Sequence, residues 1–325
     1  WSSDVCSSDL VPHTFSLSLS LSLSRITEPK LNKNNERISA FCFECLPPLT
    51  ASLASTERTK FLNFYTALKE SPGISFVSEE TKANRDVCKW AYNVACTRSF
   101  GDVDGTRSIV PVADMFNHGT GHYDDTAGGF VPEIEIRFDD DKNCYGVTTR
   151  DIPAGSPLRI QYGDPTNPSS LFANYGFIDE TSPATFCKLM LDEFPTSETD
   201  RLRDIGYDFS KMVFFAETGD VSEQVWDVIL YAIVLNGDEP TKQAFYDAHM
   251  SGDAATKNDI HARYFDRTVN VLRNHVDGFL LTLDELSAKA KAMNVRDHPR
   301  IPVILKHNDF VKATFTKVKQ NIDAM

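Results

Sequence analysis

Val110-Pro-Val-Ala-Asp-Met-Phe-Asn-His118 is the stretch on which the reading of the fold turns. Its end, Asn117-His118-Gly119, is turn chemistry, because Asn tolerates the left-handed region and bonds its own backbone. Taken alone it says no more. Its meaning comes from the residues around it in order: Thr97-Arg98 before it, Asp114 within it, then Ile160-Gln-Tyr-Gly163 and Asn174-Tyr-Gly-Phe177 after it. A single Tyr-Gly is a packed aromatic beside a tight turn, and a single Arg98 is a solvated charge. Spaced together behind Asn117-His118, Tyr162, Tyr175 and Phe177 shift the balance away from plain packing.

Outward from that stretch the chain is periodic. Phe61, Leu62, Phe64, Tyr65 and Leu68 predict a helix from Glu57 to a stop at Ser71-Pro-Gly73, and Val87, Trp90, Ala91, Val94 and Ala95 predict a second. Ile134, Ile136 and Phe138 alternate with charged residues ahead of Asp139-Asp-Asp-Lys-Asn143, which predicts a hairpin returning over 145–149. Asp151-Ile-Pro-Ala-Gly155 turns the chain into a strand over 158–162, and Asn167-Pro168 opens a helix over 169–174. After about residue 182 the β signals fade. Val225, Trp226, Ile229, Leu230, Ile233 and Val234 form a helical stripe stopped by Asn236-Gly237, and Thr282-Leu-Asp-Glu285 reads as a capping box ahead of another helix.

The 325 residues suit two domains. With 41% hydrophobic and 24% charged residues, composition is that of a soluble globular chain, and no run of about 18 apolar residues exists to cross a bilayer. The 33 basic against 46 acidic side chains leave a net charge of −13, which argues against a grip on nucleic-acid phosphates. Such a surface would attract a basic protein, although an acidic balance is more often a solubility feature. The repeat Leu17-Ser-Leu-Ser-Leu-Ser-Leu-Ser24 lacks the positive start of a secretory leader, since Arg25 follows it. Residues 1–56 are expected to be a low-complexity, irregular or non-native segment.

The seven cysteines are scattered and odd in number, which fits reduced thiols inside a cell better than a disulfide framework. The sequence does not choose among cytoplasm, nucleus and plastid. Cys42-Phe-Glu-Cys45 has zinc-knuckle spacing but no second Cys/His pair beside it. His118, His122, Asp124 and Asp125 are possible metal ligands, yet Gly119 and Gly121 break the helix that would align the two imidazoles. No metal is expected at either place.

The series Thr97-Arg98, Asp114, Asn117-His118, Tyr162, Tyr175 and Phe177 resembles the second half of a SET-domain protein methyltransferase, most closely the branch of Rubisco large-subunit methyltransferase-like enzymes. That resemblance implies S-adenosyl-L-methionine as cofactor, held by Arg98, Asn117 and His118, with Tyr162 as the catalytic tyrosine. It places Tyr175 and Phe177 around the substrate lysine, and Thr97 and Asp114 near the channel mouth. A SET domain with a helical insert over 57–97 and its C-terminal part over 98–182 would be followed by an all-α substrate-binding-like domain over 183–325, an α+β fold. The implied activity is protein-lysine N-methylation, the partner a protein with an accessible lysine, with neither nucleic acid nor membrane involved. Ala113 stands where the branch that methylates actin histidine carries Trp, and Asp164-Pro165 where it carries Arg, so lysine is favoured.

The chain also departs from the family. SET enzymes begin with a Gly-x-Gly turn, and the first glycine here is Gly73. The expectation is a partial SET domain that binds the donor poorly. A truncated, catalytically impaired SET protein acting as a protein-binding module is the alternative reading.

Overall fold

The computed structural model describes residues 42–71, 76–101, 105–124, 126–127, 129–189 and 196–325. The Leu-Ser repeat, the Pro72-Gly73 stop and Asp125 lie outside the described residues.

The fold is α+β. Helix α1 spans Pro48–Glu70, followed by the short α2, Glu79–Ala83, and α3, Arg85–Arg98. Ser78 caps α2 by accepting from the Thr81 amide, and Asn84 caps α3 by accepting from Val87, each satisfying an otherwise unpaired helix N–H. Helix α1 begins nine residues before the expected Glu57. Its first turns, Pro48-Leu-Thr-Ala-Ser-Leu-Ala-Ser-Thr, carry few large apolar residues, and only Thr50, Ala54 and Phe61 are buried along its length, so periodicity is faint there. The segment before it, in the span expected to be irregular, places Cys42, Cys45 and Leu46 in a core with Phe172, Ile301 and Ile304.

The central region is a set of two-stranded pairs. Strands β1 (Ser99–Gly101) and β2 (Arg107–Ile109) pair antiparallel, as do β4 (His122–Asp124) with β5 (Gly129–Val131), and β6 (Ile134–Phe138) with β7 (Cys144–Thr148). The β6–β7 hairpin is the one read from sequence, its turn closed by Asp139 accepting from the Asn143 amide at 2.8 Å. Strands β3 (Asn117–His118) and β8 (Arg159–Ile160) pair in parallel, and helix α4 (Pro168–Tyr175) follows.

The loop leaving β3 is held by a close backbone approach. A Cβ on Gly121, at φ +82°, would stand 2.0 Å from the Val131 carbonyl oxygen. Gly121→Ala is therefore expected to cost about 3 kcal/mol through strain and displacement of β5. Denaturant unfolding checks this, and an unchanged midpoint would contradict it.

The C-terminal region holds the largest core, which runs from Phe186 to Ile322. It is helical: α5 (Thr196–Asp204), α6 (Glu223–Ile229) continued by a wider π turn over Leu230–Val234, α7 (Glu239–Ser251), α8 (Ala254–Lys291) and α9 (Ile301–Asp323). Ion pairs Arg273–Asp323, Lys319–Asp277 and Lys312–Asp284 run in opposite senses along α8 and α9, so the two helices are antiparallel. No described helix is long and apolar enough to cross a membrane.

Two further features differ from the sequence reading. Strands β9 (Ala184–Phe186) and β10 (Val213–Phe215) pair antiparallel inside the region read as wholly helical. Ala184, Thr185 and Phe186 are all buried, so no period-two pattern announces the strand. Thr282 lies within α8, where its hydroxyl donates to the Gly278 carbonyl one turn back rather than capping a helix start.

Candidate active site

The parallel register Asn117↔Arg159 and His118↔Ile160, extended by Gly119 N–H donating to the Ile160 carbonyl at 3.0 Å, carries Tyr162 past the end of β8 to the side of His118. Their rings lie 5.4 Å apart. Helix α4 then delivers the second tyrosine. Gly176, at φ +77°, caps it by donating to the Phe172 carbonyl at 2.9 Å, a left-handed turn that glycine adopts without a Cβ penalty. The chain reverses there, and Phe177 comes back against the group. Ring centroids of Tyr162 and Tyr175 are 4.8 Å apart, of Tyr175 and Phe177 6.2 Å, and of His118 and Phe177 5.8 Å. The structure thus assembles Tyr162, Tyr175, Phe177 and His118.

Hydrogen bonds orient the tyrosines. The Tyr162 hydroxyl donates to the Phe116 carbonyl at 2.7 Å, which leaves its oxygen lone pairs to accept. The Tyr175 hydroxyl donates to the Tyr162 carbonyl at 3.3 Å. Burial, then the neighbouring Tyr175, push the Tyr162 hydroxyl up to about 12, and burial also raises Tyr175. Both stay neutral through the physiological range.

The other expected residues are placed less openly. Arg98 ends α3 and donates from Nη1 to the Asp114 carbonyl at 2.8 Å and to its carboxylate at 3.3 Å, with the two side chains 18% and 16% exposed. Asp114 is thus paired with Arg98. The Thr97 hydroxyl donates to Asn93 at 2.7 Å, back into its own helix. Asn117 is exposed on β3. The His118 ring is turned inward, its side chain 5% exposed.

Sequence reasoning missed Asp179, Thr120 and Gln161. His118 Nε2 faces Asp179 Oδ2 at 3.2 Å, and Thr120 donates to the same oxygen at 2.9 Å. Gln161 donates to the carbonyls of Thr120 and Phe130, both at 2.9 Å, tying the β3–β4 loop to β5 beside the site. The only signal for Asp179 was its turn, Asp-Glu-Thr, which by itself reads as a local Asx motif.

Four of the possible metal ligands find other partners, whereas His122 Nδ1 is buried without a hydrogen bond among the described residues. His118 uses both ring nitrogens within the site, and the Asp124 carboxylate accepts from the amides of Thr126 and Ala127. Cys42 Sγ meets His298 Nδ1 at 2.9 Å and Cys45 Sγ meets Met293 Sδ at 3.7 Å. Among the described residues no three His, Cys, Asp or Glu side chains gather to hold a metal ion.

No family model matches the sequence, and no curated protein matches it. Among the solved structures similar in shape are these two. One is the SET domain of LSMT bound to lysine and AdoHcy, with TM-score 0.47 and 14% identity over 87% of this chain and 65% of that one. The other is Rubisco LSMT bound to sinefungin and monomethyllysine, with TM-score 0.46 and the same identity and coverage. The chain spans 65% of the length of these structures.

Proposed function

We propose that this chain is a SET-type protein-lysine N-methyltransferase using S-adenosyl-L-methionine. The observation that carries the reading is the aromatic group of Tyr162, Tyr175 and Phe177 closed against His118, with the Tyr162 hydroxyl oriented by the Phe116 carbonyl. Residues around it fit the donor: aromatic faces and a carbonyl oxygen suit a sulfonium cation, and the exposed Asn117 amide and β3 backbone suit its polar parts. When bound, the donor supplies a methyl carbon already activated for in-line displacement. The protein has then to align the acceptor and keep it neutral.

A free lysine amine has a pKa near 10.4, so about one molecule in 2,500 is neutral at pH 7. An apolar, partly desolvated channel disfavours the ammonium. The Tyr162 oxygen, its O–H already directed at the Phe116 carbonyl, accepts an N–H of the entering amine and so turns the nitrogen lone pair toward the transfer line. A hydroxyl held at about 12 is no base at neutral pH; its part is alignment.

The rival reading, a protein-binding module without transfer, is favoured by one observation: Arg98 is closed on Asp114. Titration with S-adenosylhomocysteine separates the two. Arg98→Ala and Asn117→Ala are each expected to weaken its binding about tenfold, by removing a carboxylate partner and an amide contact. Equal affinity in both variants would remove them from the donor site.

A further inference from the structure

The Tyr162 main-chain N–H lies 3.2 Å from His118 Nδ1. An amide N–H only donates, so Nδ1 is the bare ring nitrogen and the proton of the neutral imidazole sits on Nε2. Nε2 faces Asp179 Oδ2 at 3.2 Å, and a carboxylate only accepts. Two bonds on opposite sides of the ring thus select one tautomer and one orientation. Asp179 is fixed in turn by Thr120 Oγ1 at 2.9 Å, the Thr181 amide at 2.9 Å and the Thr181 hydroxyl at 2.6 Å. Burial alone would raise its carboxyl, but these bonds and that from His118 outweigh it and hold the group well below the usual carboxylate range. His118 and Asp179 side chains are 5% and 11% exposed, so water competes little for either bond.

We propose that Asp179 is a positioning residue for the site: through the His118 ring it fixes the main chain of Tyr162, and with it the angle at which the Tyr162 hydroxyl meets a substrate amine. The same segment that supplies the aromatic wall at Phe177 thereby supplies the anchor two residues later. The substrate part rests on the methyltransferase reading, whereas the coupling from carboxylate to ring to main chain stands on these distances. Asp179 touches no reacting atom. Its loss is expected to lower kcat about tenfold, the scale for losing a residue that orients an imidazole, with little change in the KM for the donor.

The test combines ¹⁵N NMR of the histidine-labelled full chain with methyl-transfer kinetics on wild type, Asp179→Ala and Asp179→Asn. The wild type should show a proton-bearing Nε2 and a bare Nδ1 at His118. Asp179→Asn has one acceptor oxygen for two donors on opposite sides, His118 Nε2 and the Thr181 main-chain N–H, and should fall between wild type and Asp179→Ala in both the signature and kcat. Asp179→Ala should lose the single tautomer and fall about tenfold in kcat. If Asp179→Ala does not fold, the wild type and Asp179→Asn decide alone. The assigned tautomer without any wild-type methyl transfer supports the coupling and counts against the methyltransferase reading. Transfer that is indifferent to Asp179→Ala, a His118 signature unchanged in that variant, or a proton on Nδ1 in the wild type overturns the proposal.

Discussion

Replacing Tyr162 by Phe is expected to cut methyl transfer about 10²–10⁴-fold while leaving the fold nearly intact. The ring would keep its contacts with Tyr175 at 4.8 Å and His118 at 5.4 Å, and the main-chain bond to His118 Nδ1 does not involve the hydroxyl. The Phe116 carbonyl would lose its 2.7 Å donor, at a cost of about 1 kcal/mol in stability. What disappears is the oxygen that turns the amine. Because that contact matters most at the transition state, kcat and kcat/KM should fall together. Wild-type turnover in Tyr162→Phe would remove this residue from the mechanism.

A large gain in stability is expected away from the site. Lys188, next to β9 and wholly buried, donates to Ser169 Oγ at 2.6 Å, and Ser169 and Thr50 in turn meet His307 Nε2 at 3.2 and 3.4 Å. No carboxylate among the described residues pairs with it. Burial therefore pulls its amine down from 10.5 to about 7, and burial and Lys188 together pull His307 down to about 3.

For Lys188 the unfolded chain binds more protons than the folded one between about 7 and 10.5, so its contribution to stability rises with pH across that window. At and below about 7 the full penalty of the buried charge is present. Lys188→Met, similar in length and uncharged, is expected to raise unfolding stability at pH 7 by about 3 kcal/mol. It should also flatten the rise between pH 7 and 9. That part of the window is the cleaner one, because burial pushes the Cys187 thiol up to about 12, which acts with the opposite sign above pH 9. Denaturant unfolding of both proteins at the two pH values checks it. An unchanged pH slope in Lys188→Met would show that the amine keeps its charge throughout.

The site was more legible in the sequence than the frame that holds it. Tyr162, Tyr175, Phe177 and His118 were legible through their order and spacing together, since a lone Tyr-Gly or Asn-His carries little. The β6–β7 hairpin was legible through alternation and the Asp139 turn. What stayed hidden depends on contacts between distant segments. The parallel pairing of two-residue strands β3 and β8 has no pattern long enough to read, and Asp179 reaches His118 across 61 residues. The Arg98–Asp114 pair was not legible either, because a guanidinium donates to any carboxylate within reach and Asp114 is the one the fold brings close. The start of α1 and the β9–β10 pair were missed where burial is set by packing on α9, which sequence periodicity does not report.

The central claim is that the aromatic group around Tyr162 serves transfer of a methyl to a lysine nitrogen. Its most direct test is intact-mass and peptide analysis of basic proteins incubated with this chain and isotopically labelled S-adenosyl-L-methionine at high donor concentration, with Tyr162→Phe alongside. The account predicts label on a lysine Nε, abolished or greatly reduced in Tyr162→Phe. Label that does not exceed that of the Tyr162→Phe protein, or label on a residue other than lysine, would contradict it.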